Sequence, residues 1–276
     1  MNVFSILQAI LNGAGLHVDV QTFLLVFGLI LSRVASAVAL IPFVGGPSVP
    51  GQIKIGFAAL VSLVLFPSLI VTGGALPRSP LVYMALLIKE VVVGAIIGFS
   101  TQLVFYGVQI AGTIIDTQRG MNQITYLAPQ LPGHVSALGN LKFQASLVLF
   151  LSLGGHLAFL RGLAKSFAVV PLSEMPHMQG GWVAVADHIA RISANALAIG
   201  LQLSAPIVLA IFLVDVSFGC IGKVASQIRI SNDANTAKSW IGLAVLFFGA
   251  AFLLAQLHHF FLFMLRSIEE IAKVLA

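Results

Sequence analysis

The chain has 276 residues, of which 59% are hydrophobic and only 8% charged, with a mean hydropathy of +1.04. Soluble domains carry about 25% charged residues, so this composition excludes a soluble enzyme, a disordered tail and a fibrous repeat, and points to an integral membrane protein. The net charge of +5 comes from scattered single Lys and Arg residues with no clustered patch, so it reads as the basic bias of membrane-protein loops rather than as a nucleic-acid surface.

Met1–Leu16 is an apolar stretch diluted by polar residues, suited to an interface or a protein partner. The first basic residue is Arg33, so no positive n-region marks a cleavable signal, and the chain is expected to insert through its own first hydrophobic segment. Six apolar runs then follow: Thr22–Ile41, Ile55–Val71, Leu81–Tyr106, Phe143–Leu160, Ala194–Phe218 and Trp240–Leu265. A run of about 20 residues crosses roughly 30 Å of hydrocarbon as a helix. None alternates as a barrel strand would. Because backbone groups in lipid must be satisfied within their own segment, the predicted fold is an all-α membrane protein. It has about six long, partly kinked hydrophobic helices arranged as hairpins, with kinks expected at Pro42, Pro67 and Pro206.

The connections carry their own signals. Pro42–Pro50 packs prolines and glycines into a tight turn between the first two runs. The third run continues to Ile115, some 35 residues, with Thr101, Gln102 and Gln109 in its second half. It leads into Asp116–Pro132, a polar and aromatic loop whose length suits a lid, a re-entrant element or a plain solvent loop. His188–Leu203 is a second diluted apolar stretch. With Arg33 and Lys89 set aside, Arg78, Arg161, Lys165, Arg191, Arg266 and Lys273 fall on one side, and Lys54, Arg119, Lys142, Lys223, Arg229 and Lys238 on the other. That balance gives no orientation from a rule that depends on asymmetry.

Charges inside apolar runs are costly and need partners or water. Arg33 lies within the first run, Lys89 and Glu90 within the third, and Asp215 within the fifth. Three readings stand: a substrate or proton pathway, buried salt bridges between helices, and contacts to neighbouring subunits. Gly94 and Gly98 form a GxxxG, with Gly107 further along, a spacing that lets another helix approach closely. His258 and His259 are adjacent, so they point about 100° apart on a helix and cannot share one ion from that face. Cys220 stands alone and reads as a small buried hydrophobe. No GxxxxGK[ST], GxSxG, HExxH or paired-carboxylate spacing is present, so neither catalysis nor a cofactor is expected.

Taken in order, these segments resemble the FliR/SctT family, the R/T export-gate subunit of flagellar and injectisome type III secretion systems. The resemblance rests on Arg33, Pro42-Phe43-Val44-Gly45, Val49-Pro50, Lys54 and Ala58-Ala59-Leu60. It continues through Glu90, Gly94, Gly98, Ala111-Gly112, Asp116 and Gln118-Arg119-Gly120-Met121. GGHLAFLRGLAKSFAVVPL over Gly154–Leu172 is similar to the family's glycine-histidine segment, and Ala205-Pro206-Ile207-Val208-Leu209, Leu213-Val214-Asp215 and Gly219 to its most recognisable helix. The likeness covers about Arg33 to Lys238. Over Lys223–Lys238, KVASQIRISNDANTAK keeps Lys223, Gln227 and Lys238 of the family pattern and departs from it at Ser226, Arg229 and Thr236.

The resemblance implies a P-like region over about 1–190 fused to a Q-like C-terminal helical hairpin over about 191–276. It implies assembly with P/R and Q/S subunits in a helical hetero-oligomer at the bacterial inner membrane, within the base of a secretion system. A U/B-type switch subunit and the V/A subunit would lie nearby, and the cargo would be unfolded secreted polypeptide. The loop after the third helix becomes a pore plug over about Gly112–Ala128, with Asp116 at its start and Met121, Ile124, Tyr126 and Leu127 as the apolar seal. Arg33, Lys54, Glu90, Asp215 and Lys238 become assembly charges. The alternative function is a secondary transporter of a small solute, with Glu90 or Asp215 as its coupling site.

Overall fold

The computed structural model describes residues 18–46, 49–72, 79–120, 136–175, 181–224 and 230–248, together with residues 6, 8, 9, 12, 13 and 270. Eight helices and no strands occur among them. They are α1 (Val20–Leu40), α2 (Pro42–Gly45), α3 (Gly51–Thr72), α4 (Pro80–Gln118), α5 (Ala137–Ser152), α6 (Gly155–Val169), α7 (Gly181–Val224) and α8 (Ile230–Phe248). Four of them are long and apolar enough to span a membrane, or five spans if Leu138–Ser152 and Gly155–Val169 form one broken span. Only the beginning of the sixth run lies in α8; residues 249–265 fall outside the described residues.

Local chemistry sets the helix ends. The first N–H of α1, on Val20, donates to the Gln8 side chain at 3.2 Å. The helix stops at Ile41, whose extended backbone (φ −73°, ψ 134°) is what a following proline enforces. Pro42 then takes the first position of α2, where its missing N–H costs nothing. The tight turn expected here therefore begins as a single turn of helix, continued by the Val49 amide donating to the Gly46 carbonyl at 3.0 Å.

The overlong third run is a single helix of 39 residues, about 58 Å at 1.5 Å per residue. Its polar residues do not interrupt it, because the Ser100 and Thr101 hydroxyls donate to the carbonyls four residues back, at 2.7 and 3.0 Å. It ends at Gly120 in a left-handed conformation (φ 76°) that favours glycine. The run Phe143–Leu160 is divided between α5 and α6, and the divider is Gly154, also left-handed (φ 73°). The diluted stretch His188–Leu203 and the fifth run belong to one 44-residue helix, α7, which holds Pro206 in its interior. Cys220 is exposed rather than buried, on the outward stripe of α7 with Leu213, Val216, Ile221 and Val224.

The chain forms two compact units. The first comprises Met1–Gln102, His156–Ile189 and Leu265–Ala276, and the second Leu103–Gly155 and Ala190–Met264. In the first, α1 turns Leu29, Ile30, Val34, Ala37 and Val38 inward, and Phe23 meets Phe66 of α3 edge to face at 4.8 Å. In the second, Ile115, Leu138, Ile207 and Ile211 form a buried cluster joined by Val245, and Phe105 packs edge-on to Phe150 at 5.4 Å. The outer face of α3 is apolar, with Ile53, Ile55, Leu60, Leu63 and Val64 exposed, as a face in contact with lipid or another chain requires.

Candidate functional site

Charge concentrates at three places, two of them within apolar surroundings. In the first unit Arg33 of α1 and Glu90 of α4 are both fully buried. Glu90 accepts from Nε of Arg33, from Nη2 of Arg33 at 3.0 Å and from Nζ of Lys89 at 2.7 Å. The remaining guanidinium donors reach the Ser166 hydroxyl at 3.2 Å and the Val170 carbonyl at 2.8 Å, while the Phe167 ring lies 4.0 Å from the guanidinium carbon. The Lys89 ammonium also donates to the carbonyls of Pro171, Leu172 and Glu174 at 2.7, 3.2 and 3.0 Å. Those carbonyls belong to the turn that follows α6, so one lysine supplies donors to three of its backbone acceptors. In a low-dielectric interior such a cluster holds only when its polar atoms are matched, and here every side-chain nitrogen and oxygen of Arg33, Lys89 and Glu90 has at least one partner.

Glycine sets this geometry. A Cβ on Gly94, one turn beyond Glu90, would lie 2.1 Å from the Arg33 carbonyl oxygen and 2.1 Å from the Ser36 hydroxyl. On Gly98 it would lie 2.6 Å from the Ala37 carbonyl oxygen. The GxxxG face therefore brings the backbone of α4 against α1 where the ion pair forms. In the second unit Gly107 faces Ala196, Gly200 faces Ile110, and Gly112 faces Gly139, whose Cα would be 2.3 Å from an added Cβ.

The second place is the base of the segment 121–135. Oδ2 of Asp116, near the end of α4, accepts from the Ser136 hydroxyl at 2.7 Å and from the Leu138 amide at 2.9 Å. Ser136 is also the N-cap of α5, its oxygen accepting from the Gly139 amide at 2.8 Å. Arg119 pairs with Asp116 at 3.5 Å. One carboxylate thus joins the chain where it leaves α4 to the chain where it enters α5. Ser136→Ala removes the cap and one of the Asp116 donors, and is expected to cost about 1–2 kcal/mol. Thermal unfolding in detergent measures this, and an unchanged midpoint would show that the cap contributes nothing.

The third is the pairing of Lys238 on α8 with Asp215 on α7, both half-buried, which ties the two helices together. Lys54 is half-buried near the start of α3. Met121, Ile124, Tyr126 and Leu127 lie outside the described residues, as do His258 and His259. Among the described residues no group of three or more His, Cys, Asp or Glu side chains could share a metal ion. Sequence pattern alone points to Arg33, Glu90, Gly94, Gly98 and Asp116, but not to Ser166, Phe167 or the carbonyls after α6. Ser136 carries a usable signal, a serine just before an apolar run.

Residues 24–264 match the family described as bacterial export proteins, family 1. Among curated proteins the chain is similar to the flagellar biosynthetic protein FliR of Bacillus subtilis (strain 168), 30% identical over 211 residues, covering 74% of this chain and 78% of that protein. It is 26% identical to the FliR of Escherichia coli (strain K12) over 200 residues, 72% of this chain and 74% of that one. It is 27% identical to the Yop proteins translocation protein T of Yersinia pestis over 229 residues, 82% of this chain and 86% of that one.

Proposed function

Because the chain belongs to the bacterial export proteins of family 1, the FliR/SctT family of type III secretion, we propose that it is a non-enzymatic export-gate subunit that lines and closes an inner-membrane pore for unfolded secreted proteins. It is a multi-pass protein of the bacterial inner membrane, within the base of a secretion system. Its relatives are named for flagellar biosynthesis and for Yop protein translocation, which supports a role in protein export. In this reading P/R and Q/S subunits surround the chain, with the switch and V/A subunits nearby. Its first 190 residues form the P-like region, and residues 191–276 the Q-like hairpin.

The observation that carries the pore role is the clamped base at Asp116. Asp116 near the end of α4 holds Ser136 and Leu138 at the start of α5, beside the apolar cluster of Ile115 and Leu138. A segment anchored at both ends, and rich in Met121, Ile124, Tyr126 and Leu127, suits an apolar seal that excludes water and ions yet yields to a chain pushed through it.

The test is deletion of residues 121–128, which spares Gly112, Asp116 and the Gly120 cap. Cells carrying the assembled variant complex should leak small ions, while complexes with the intact segment remain tight. Unchanged conductance with assembly intact would remove the plug assignment.

A further inference from the structure

Within the first unit we infer that the outer face of α6 lines water at the depth of the membrane spans, with Arg161 and Lys165 as the cations it offers to anionic groups. This concerns one helix face and stands independently of the export-gate reading and its plug. Depth follows from the contacts of α6. The Phe159 ring packs edge-on to Phe43, just beyond the end of α1, at 5.6 Å. About two turns later the Ser166 hydroxyl accepts from Arg33 at 3.2 Å, and after the helix end the Val170 carbonyl accepts from it at 2.8 Å.

Arg33 stands about 10 Å before the end of α1, at 1.5 Å per residue. The helix α6 therefore runs antiparallel beside the last turns of one span, and the turn after it meets Lys89 of another. Lys165, next to Ser166, is level with Arg33, and Arg161 lies about one turn nearer the end of α1.

The helix turns Phe159, Leu163, Ser166 and Phe167 inward and leaves Leu157, Arg161, Lys165 and Ala168 exposed in one stripe at helical spacing. Other exposed faces in this unit are aliphatic, with Leu60, Leu63 and Val64 on α3 and Leu81, Met84 and Ile88 on α4. Such faces suit lipid. Two cations one turn apart do not, because charge at membrane depth turns to water or to a protein partner. A protein face would have to bring acids matched to both, whereas water hydrates each on its own. Residues 137–173 contain no Asp or Glu, so the charges that α6 and its flanks carry in sequence are all positive. A wet strip of that sign draws in anions.

The test uses Arg161→Cys and Lys165→Cys, each in the full-length chain carrying Cys220→Ser, in membrane vesicles of both orientations. Lys and Arg stems can reach an interface from within lipid; the short cysteine side chain cannot, so its labelling reports water at the helix itself. Membrane-impermeant thiol reagents should label both variants at least about tenfold faster than Ile88→Cys, because the reactive thiolate forms in water and is suppressed in apolar surroundings. Ile88 is the fitting control, being exposed on α4 and level with Arg33 through its neighbours Lys89 and Glu90. In Lys165→Cys an anionic reagent should outpace a cationic one, and adding Arg161→Glu should reverse that order. Failure to label either α6 position overturns the inference, whether lipid or another chain covers the helix. Equal labelling of Ile88→Cys overturns it too, since that level then lies outside the membrane. Equal rates for the two reagents overturn the anionic preference. None of these readouts depends on residues 121–128, so a plug assignment that fails leaves them standing.

Discussion

Replacing Glu90 by alanine should abolish stable folding, with a loss of about 3–5 kcal/mol, a large share of the whole stability of a domain. Among the described residues Glu90 is the carboxylate bonded to both Arg33 and Lys89, and all three groups are buried. Without it two cations face each other in an apolar interior, and hydration at that depth is not available to replace it. The two cations are not equivalent. Lys89 keeps three carbonyls in the variant, whereas Arg33 loses both bonds on its Nε edge and retains only Ser166 and Val170. Combining Glu90→Ala with Arg33→Met should therefore recover much of the loss, as replacing a whole buried pair by apolar groups does in other proteins. Membrane abundance and unfolding in detergent report both effects. Wild-type levels of the single variant would show that the pair does not hold α1 to α4.

Gly94→Ala should be the next most damaging change, at about 1–3 kcal/mol or more. Its Cβ would sit 2.1 Å from the Arg33 carbonyl oxygen and 2.9 Å from the Arg33 carbonyl carbon, and backbone atoms cannot swing aside. The helices must separate, and because Glu90 is one turn away, the ion pair lengthens with them. Gly98→Ala, closest to the Ala37 carbonyl oxygen at 2.6 Å, should be milder. The informative comparison is Gly56→Ala on α3, where nothing lies within 4 Å. There the better helix propensity of alanine should stabilise by up to about 1 kcal/mol. Opposite signs for one chemical change at two helical glycines would isolate close approach as the cause. Equal effects would reduce Gly94 to a matter of backbone propensity.

The helices are legible in the sequence because length and hydropathy alone define a span, and the overlong α4 is visible as a run that exceeds bilayer thickness. Their interruptions are less so. The division of Phe143–Leu160 depends on Gly154 adopting a left-handed backbone, and nothing in composition separates that glycine from those that continue helices, such as Gly94 or Gly200. The joining of His188–Leu203 to the fifth run is hidden for the opposite reason. Scattered polar residues lower hydropathy without breaking a helix that can take up their hydroxyls, as Ser204 donates to the Leu201 carbonyl at 3.1 Å.

At the site, Arg33 and Glu90 declare themselves because charge in an apolar run is rare. Their partners do not. Val170, Pro171 and Leu172 contribute through carbonyl oxygens that every residue has, so no side chain marks them. Lys142 passes for a loop charge because it stands at the edge of its apolar run, although in the structure it is buried.

The span between Arg33 and its partners also sets a schedule for biosynthesis. Glu90 follows Arg33 by 57 residues, Ser166 by 133 and Val170 by 137. At roughly 5–20 residues per second the ribosome delivers the carboxylate about 3–11 s after the arginine. An arginine at mid-helix costs on the order of 2.5–3.5 kcal/mol to insert. The first helix therefore waits at the translocon with an unneutralised guanidinium until α4 arrives, and the pair then waits again for the end of α6. The nascent chain crosses its least favourable state early, before most of its hydrophobic mass exists.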